Sequence, residues 1–301
     1  MDFHAKSPSS KNHHGWVILD KPEGLSSTRL GTRLKRLTGQ KSIGHVGTLD
    51  PAASGVLLFA LGEATKLIPY YHHTGKTYTF FLHFGEQRDT GDAEGQVIAT
   101  SSGRPSLDEI QQILPKFLGN QFQKPPAYSA IRIDGQRAYH LARNQETVDL
   151  KPRPINIHSL ELMSWHGEYC QLQVSCTTGT YVRSLGEDIA KALHTVAYVN
   201  HIRRIQDGKF SEIHTISLEK LDEMIHKLGV CASVKPLGFV LDDIPAITVW
   251  CDEAQRLRNG QSVQSPDHPD APAVRIEMDG CLIGMGTVSS GVLFPKRILN
   301  I

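Results

Sequence analysis

An unbroken apolar run, residues 55–61, directly follows a glycine-rich loop that contains an Asp-Pro pair. An apolar run of this length, bounded by loop residues, is typical of a buried β-strand. It is also the longest apolar run of the chain, and it is far shorter than the roughly 18 residues that a bilayer-spanning helix needs. The sequence therefore predicts a buried strand preceded by a tight loop, and no membrane-spanning segment.

Composition narrows the class of protein further. The chain has 301 residues, of which 40% are hydrophobic and 21% are charged, as in ordinary globular proteins of one or two domains. The 32 basic and 31 acidic residues nearly cancel, so a nucleic-acid site would have to be a local basic face. The five cysteines include no Cys-x-x-Cys pair, which favours a reducing cytoplasm over a disulfide framework. Residues 1–14 are polar, and we expect a disordered leader that is not an export signal.

Periodicity predicts both helices and strands between residues 15 and 240. Ser26 or Ser27 can cap a helix that ends at Gly39, and residues 76–85 alternate as in a strand with Tyr78 on its apolar face. Further strands are predicted at residues 15–19, 155–163, 169–176 and 195–205, and further helices at 106–117, 181–193 and 217–228. After about residue 240, short strands separated by turns predict a small β-barrel, whose residues from Asp242 onward carry eight acidic and five basic side chains.

Residues 123–153 differ from their surroundings. They carry six basic and three acidic residues, interleaved with aromatic side chains, and prolines stand at both ends of the segment. A long insertion of this kind in a compact domain is usually functional or mobile.

The loop Gly-His-Val-Gly-Thr-Leu-Asp-Pro, residues 44–51, is the densest group of chemically capable residues. An aspartate that precedes proline is disfavoured in a helix, so Asp50 is expected on a rigid loop. Physical reasoning alone leaves two interpretations open: a carboxylate that closes its own turn, or a catalytic nucleophile or base. By spacing alone, Tyr78 would be a core aromatic residue, Arg183 a surface arginine and His45 a turn residue.

Several motifs, taken together, resemble those of the bacterial tRNA pseudouridine-55 synthases, the TruB family. The loop with Asp50 and the following residues 53–57 fit the family's active-site motif, in which Asp50 has the nucleophile position. The other matching blocks are Asp-Lys-Pro at 20–22, Gly-Glu-Ala-Thr-Lys at 62–66, Lys-x-Tyr at 76–78, Arg-Asp-Thr-x-Asp at 88–92, Tyr-Ser-Ala at 128–130, Gly-Thr-Tyr-Val-Arg at 179–183 and Ile-Arg-Arg at 202–204. The resemblance covers about residues 15–240, and the last 60 residues resemble a PUA-type RNA-binding domain more weakly.

The resemblance implies an α+β fold of the pseudouridine-synthase type. Its sheet would be mixed and mostly antiparallel with flanking helices, and a small PUA-like β-barrel would follow. The implied division is a catalytic domain over residues 15–241, with an RNA-gripping insertion at about 123–153, and an RNA-binding domain over residues 242–301.

The resemblance also implies an activity: isomerisation of uridine 55 in the T-arm loop of tRNA to pseudouridine, after the base has been flipped out of its stack. Its partner would be tRNA, and we expect a monomer that needs no metal and no cofactor.

The family's roles fall on particular residues of this chain. Asp50 would be the nucleophile, Tyr78 would stack on the flipped base and handle a proton, and Arg183 would hold its positive charge against Asp50. The residues implied to bind substrate are His45, Tyr78, Tyr181 and Ile202. His45 would enter the RNA in place of the displaced base, while Tyr181 and Ile202 would form pocket walls. Asp92 is a candidate supporting residue.

Two other functions remain open at this point. A tRNA-binding or folding chaperone without catalysis would share the basic insertion but predicts a damaged nucleophile site. A hydrolase with paired carboxylates, such as Asp50 with Asp92, would release free base rather than an isomer.

Overall fold

The computed structural model describes residues 13–71, 75–129, 131–133, 135–144, 146 and 148–301. Residues 1–12 of the predicted leader lie outside this description. His14, at the end of that segment, is described, and its Nδ1 accepts a hydrogen bond of 3.1 Å from the Glu63 backbone N–H. Within the described ranges, no helix is both long and apolar enough to cross a membrane.

Eighteen strands are present in the described part of the chain. In chain order they are β1 (Gly15–Lys21), β2 (Ile43–Val46), β3 (Ser54–Leu61), β4 (Lys76–Phe84), β5 (Glu86–Arg88), β6 (Val97–Thr100), β7 (Gly119–Gln123), β8 (Arg132–Ile133), β9 (Gln136–Arg137), β10 (Arg153–Trp165), β11 (Tyr169–Cys176), β12 (Ala197–Asp207), β13 (Phe210–Ser211), β14 (Ala246–Thr248), β15 (Val263–Gln264), β16 (Ala271–Met278), β17 (Cys281–Ser289) and β18 (Val292–Ile298).

The helices lie between these strands. The α-helices are α1 (Ser27–Thr38), α2 (Leu107–Ile113), α3 (Ala138–Arg143), α4 (Val182–Ala192), α5 (Leu218–Leu228) and α6 (Cys251–Arg258). Short 3₁₀ segments cover Gly62–Tyr70, Leu114–Phe117, Glu212–His214, Val230–Ser233 and Leu237–Val240.

The central sheet is mixed and mostly antiparallel, as expected. Its strands run in the order β1-β3-β12-β4-β11-β10-β7, with β2 also paired to β3 and β13 to β12. The pairing of β12 with β3 is parallel, and the other pairings are antiparallel. The strand predicted from the apolar run is β3, in which all eight residues are buried between neighbours on both sides. The fold-class prediction is confirmed.

One face of this sheet carries the larger core. The alternation in β4 buries Tyr78, Phe80 and Leu82 on the face against which α1 and α4 pack. Helix α1 contributes Leu30 and Leu34 from one side of its surface, as the spacing predicts. The Ser26 hydroxyl caps this helix by accepting a hydrogen bond from the Arg29 N–H, so the neighbouring serine is left for another role.

The C-terminal segment packs on the opposite face. Trp16 and Leu58 from the central sheet share one buried cluster with Leu282, Met285 and Leu299 from the C-terminal strands. These strands form a five-stranded sheet in the order β14-β16-β17-β18-β15. The segment predicted as strands alone also contains helix α6, whose first turn is closed by a Glu253 carboxylate that accepts the Trp250 N–H at 2.9 Å. Sequence reasoning missed this helix because tryptophan is not an N-cap residue type.

The shared core predicts that the two parts unfold together. Met285→Ala should lower the free energy of unfolding by about 2–5 kcal/mol, because it empties a fully buried site between the two sheets. Urea unfolding followed by circular dichroism should still show one transition. The control is Trp250→Ala, which removes a side chain from a residue that is 79% exposed and should change stability by no more than about 0.5 kcal/mol. Two separate transitions, of which Met285→Ala shifts only one, would contradict the shared core.

Candidate active site

The loop between β2 and β3 is held in one conformation by its own backbone. Gly47 has φ +63°, a left-handed value that glycine adopts without strain. After it, the Ala53 N–H donates to the Asp50 carbonyl at 3.1 Å, which closes a turn around Pro51. The carboxylate of Asp50 consequently projects from a turn whose two ends are fixed in the sheet.

Side chains from distant segments tie this loop down. The Ser27 hydroxyl donates to the Leu49 carbonyl at 2.9 Å and accepts from the Leu49 N–H at 3.0 Å. The Lys21 ammonium, fully buried, donates to the carbonyl of Pro51 at 3.2 Å and also to that of Ala53. Burial lowers the pKa of Lys21 to about 8. The loop backbone thus has partners on both sides of Asp50.

A buried cluster of charges lies beneath the loop. The Asp207 carboxylate is within 3.4 Å of the Lys76 ammonium and 3.5 Å of the Arg204 guanidinium, and the side chains of Arg204 and Asp207 are 0% exposed. Arg204 also donates to the carbonyl of Gly47 at 3.1 Å and to that of Val56 at 2.7 Å. A Cβ at position 47 would stand 2.2 Å from the Lys76 Nζ, so glycine is required there.

Arg183 links the loop to two other segments. It is 4% exposed, and its Nη2 lies 2.8 Å from the Asp50 carboxylate and donates to the Tyr128 carbonyl at 2.9 Å. On its other side, Nη1 donates to the Thr90 carbonyl at 2.8 Å, while Nε lies 3.7 Å from the Asp92 carboxylate. Asp92 is fixed in turn by the Thr90 hydroxyl at 2.6 Å. This geometry brings Asp50 and Arg183 together as the resemblance implies, and it places Asp92 against the same guanidinium.

A cleft of about 490 Å³ opens beside Asp50. The predicted site residues that line it are Asp50, Tyr78, Tyr181, Arg183 and Ile202. His45 does not line this cleft. It lies on β2 with its Nε2 3.3 Å from the Thr48 hydroxyl, while Thr48 itself does line the cleft. Five of the six predicted site residues therefore line one cleft, and the sixth, His45, lies behind the part of the wall formed by Thr48.

Burial raises the pKa of the two tyrosines that line the cleft. It raises the pKa of Tyr78 to about 12, so the phenol keeps its proton at neutral pH and can donate a hydrogen bond. Tyr181 also has a raised pKa because of burial. The Tyr181 backbone is clamped by Gln123, whose side-chain amide donates to the Tyr181 carbonyl and accepts from its N–H.

Lys76 is a charged cleft residue that sequence reasoning missed as a site residue. It lines the cleft two positions before Tyr78 on the same face of β4, and its pKa is lowered to about 8 by burial first and by Arg204 second. The strand alternation placed Lys76 on the apolar face, and a lysine in that position is a signal that could have identified it.

The two carboxylates named for a hydrolase both lie against Arg183, Asp50 at 2.8 Å from Nη2 and Asp92 at 3.7 Å from Nε. Asp92 is 5% exposed and does not line the cleft, so only Asp50 of this pair faces it. No cluster of three or more metal-ligating side chains occurs within the described ranges.

Family models match this chain in two stretches. Residues 35–182 match the N-terminal domain of the TruB family pseudouridylate synthases, and residues 245–299 match the C-terminal region of pseudouridine synthase II TruB. A relative from Rhodopseudomonas palustris, named tRNA pseudouridine synthase B, is 42% identical over 96% of this chain and 81% of its own length. The chain belongs to the TruB family.

Other TruB relatives agree with this assignment. A protein of the same name from Bradyrhizobium diazoefficiens is 42% identical over 96% of this chain and 86% of its own length. One from a Ruegeria strain is 38% identical over 95% of this chain and 96% of its own length.

Solved structures share the fold. A Cbf5-Nop10-Gar1 complex contains a chain with a TM-score of 0.72 at 22% identity, over 94% of this chain and 84% of that one. An H/ACA RNP bound to a substrate RNA gives a TM-score of 0.71 at 21% identity, over 95% of this chain and 85% of that one.

The buried charges under the loop give a prediction for stability. Asp207→Asn should cost about 3–5 kcal/mol of unfolding free energy at pH 7, because it leaves Lys76 and Arg204 buried together without the carboxylate. The loss should shrink at pH 9, since the folded-state pKa of Lys76 is already about 8 and falls further once Asp207 is absent. Urea unfolding at the two pH values measures this difference. Asp252→Asn, on the exposed first turn of α6, is the matched control. An equal loss at both pH values would show that Lys76 does not respond to Asp207.

Proposed function

We propose that this protein isomerises uridine 55 in the T-arm loop of tRNA to pseudouridine. The observation that carries the proposal is the Asp50–Arg183 ion pair of 2.8 Å on the wall of a cleft that Tyr78 also lines. Membership of the TruB family and relatives named tRNA pseudouridine synthase B support the substrate class.

The reaction exchanges one glycosidic bond for another. The bond between ribose C1′ and uracil N1 breaks, the base turns, and a bond forms between C1′ and C5. C5 then loses its hydrogen as a proton, and N1 gains a proton. No atom is added or lost overall. Asp50 is the group that we place at the ribose, where its carboxylate adds to the sugar or removes a sugar proton.

The neighbouring groups prepare Asp50 for this role. The Asp50 side chain is 42% exposed, whereas its partner Arg183 is 5% exposed, so the carboxylate faces the cleft and the guanidinium supports it from behind. The contact of 2.8 Å between the two groups fixes the direction of the carboxylate. Tyr78 stacks on the base, and its phenol, which keeps its proton at neutral pH, can donate a hydrogen bond there.

We place RNA binding on the basic insertion, residues 123–153. Lys151 and Arg153 are exposed at one end of the insertion, next to strand β7 at the sheet edge. The insertion also reaches the site itself, because the Tyr128 carbonyl accepts a hydrogen bond from Arg183. RNA held by this segment would therefore lie against the cleft.

We further infer that the protein works as a monomer in the cytoplasm. One chain supplies all of the residues placed at the cleft, and its five cysteines are free thiols, as is usual in a reducing compartment.

Replacement of the two charged residues tests the reaction. Asp50→Asn should abolish turnover of unmodified tRNA while leaving the tRNA dissociation constant within roughly tenfold, since phosphate contacts supply most of the affinity. Arg183→Met should lower turnover by about 100-fold or more, because it removes a preorganised charge from the site. Pseudouridine is mapped by chemical labelling, and Asp252→Asn is the control. Multiple turnover by a clean Asp50→Asn preparation would exclude Asp50 from the chemistry, and absence of pseudouridine with wild-type protein would favour the chaperone alternative.

The salt dependence of tRNA binding tests the proposed contacts between the insertion and RNA phosphates. The double variant Lys151→Gln, Arg153→Gln should weaken tRNA binding and reduce the slope of log affinity against log salt by about 0.7–0.9 for each phosphate that the variant no longer neutralises. Lys227→Gln is the matched control, because that ammonium is already near the Glu223 carboxylate at 4.0 Å on α5. A slope equal to that of the wild type would mean that neither insertion residue meets a phosphate.

A further inference from the structure

A second cavity of about 500 Å³ lies on the other side of His45, between α1 and β2. Residues 43–45 form part of its lining and are partly buried. Thr32 and Lys35 line it from α1, and Lys41 lines it from the segment that leads into β2. We call this cavity the α1–β2 groove.

The α1–β2 groove and the active-site cleft share a wall. His45 lines the groove, Thr48 lines the cleft, and the His45 Nε2 lies 3.3 Å from the Thr48 hydroxyl. The wall is rigid, because β2 is paired with β3, where His45 stands opposite Phe59. A strand of RNA whose target uridine enters the cleft therefore has the groove beside it.

The charges of the groove match those of a nucleotide. Lys35 and Lys41 are exposed and have no ion pair within the described part of the chain, so both ammonium groups can meet a phosphate. The lining between them is uncharged at neutral pH, since burial and the nearby Arg204 lower the pKa of His45. Ile43 and Ile68 add apolar surface to that lining, and the hydroxyls of Thr32 and Ser42 add hydrogen-bonding groups.

We propose that the α1–β2 groove binds one unstacked nucleotide of the same RNA strand, adjacent to the target uridine. Its base lies against residues 43–45 and its phosphate lies between Lys35 and Lys41. The proposal rests on the proposed function, because it takes the RNA strand to be the one that delivers uridine to the cleft.

A bulky side chain in the groove tests whether a base enters it. Thr32→Trp places an indole there from an exposed helix position, and Thr32→Val is the matched control that keeps the size of threonine. Each protein also carries Asp50→Asn, so that binding is measured without turnover. The probes are T-arm stem-loop RNAs with a single abasic nucleotide at each position flanking the target uridine.

One abasic position should raise the dissociation constant of the parent protein and of Thr32→Val by about tenfold, the size expected for one stacked base. The same abasic RNA should change binding to Thr32→Trp by less than about twofold, because the groove is already closed. Comparison within each RNA cancels effects of the missing base on the RNA itself. Equal abasic effects in all three proteins, at every position, would overturn the proposal.

The phosphate is tested by neutral linkages. Replacing one flanking phosphate by a methylphosphonate should weaken binding to the parent protein but have little further effect on Lys35→Gln or Lys41→Gln. Arg36→Gln makes the same charge change on α1 without lining the groove, and it should remain as sensitive as the parent. If Lys35→Gln and Arg36→Gln respond alike at every linkage, the lysines are only part of a general basic face and the proposal fails.

These binding measurements are separable from the activity. Wild-type protein that binds the stem-loop but forms no pseudouridine contradicts the proposed function, while the coupling between Thr32 and one base can still be observed. Normal pseudouridine formation without that coupling overturns the groove proposal alone. Thermal unfolding of each variant, compared with the parent, verifies that the substitutions leave the fold intact.

Discussion

The placement of the loop that carries Asp50 depends on charges that have been removed from water. Asp207 holds Lys76 and Arg204 beneath the loop by ion pairs. Arg204 in turn fixes the loop by donating a hydrogen bond to the Gly47 carbonyl. Burying three charges is costly unless they are paired, so this arrangement tolerates little displacement of any member. The position of the loop is restricted in the same way, because a side chain at position 47 would collide with the Lys76 ammonium.

Arg183 performs the corresponding task from behind Asp50. Its guanidinium contacts residues 88–92 at Thr90 and Asp92, the insertion at Tyr128, and the loop between β2 and β3 at Asp50. One planar guanidinium thereby positions three segments that are distant in sequence. Its N–H donors fix the direction of each contact as well as its distance. The insertion that is proposed to grip RNA and the carboxylate that is proposed to react are therefore mechanically connected through a single buried side chain.

The regular elements could be predicted from the sequence because they depend on local signals. Alternation marked β4, leucine spacing and a serine cap marked α1, and the apolar run marked β3. Helix α6 was missed because its first residues lack a usual cap. For the candidate site, spacing alone favoured a surface location for Arg183, which is 4% exposed. Its burial follows from pairing with two carboxylates across the fold, a long-range property that no local pattern encodes.

The contrast in exposure within the central ion pair has a consequence for reactivity. Asp50 keeps 42% of its side chain exposed while Arg183 keeps 5%, so the desolvation cost of the cation is met during folding and not when substrate arrives. A base that covers Asp50 then removes water from a carboxylate whose counter-charge is already in place at 2.8 Å. In the drier site the attraction between the two groups strengthens, which offsets part of the lost hydration and keeps the carboxylate correctly directed. The fixed loop below and the fixed guanidinium behind it thus hold a single carboxylate in one position when it is enclosed.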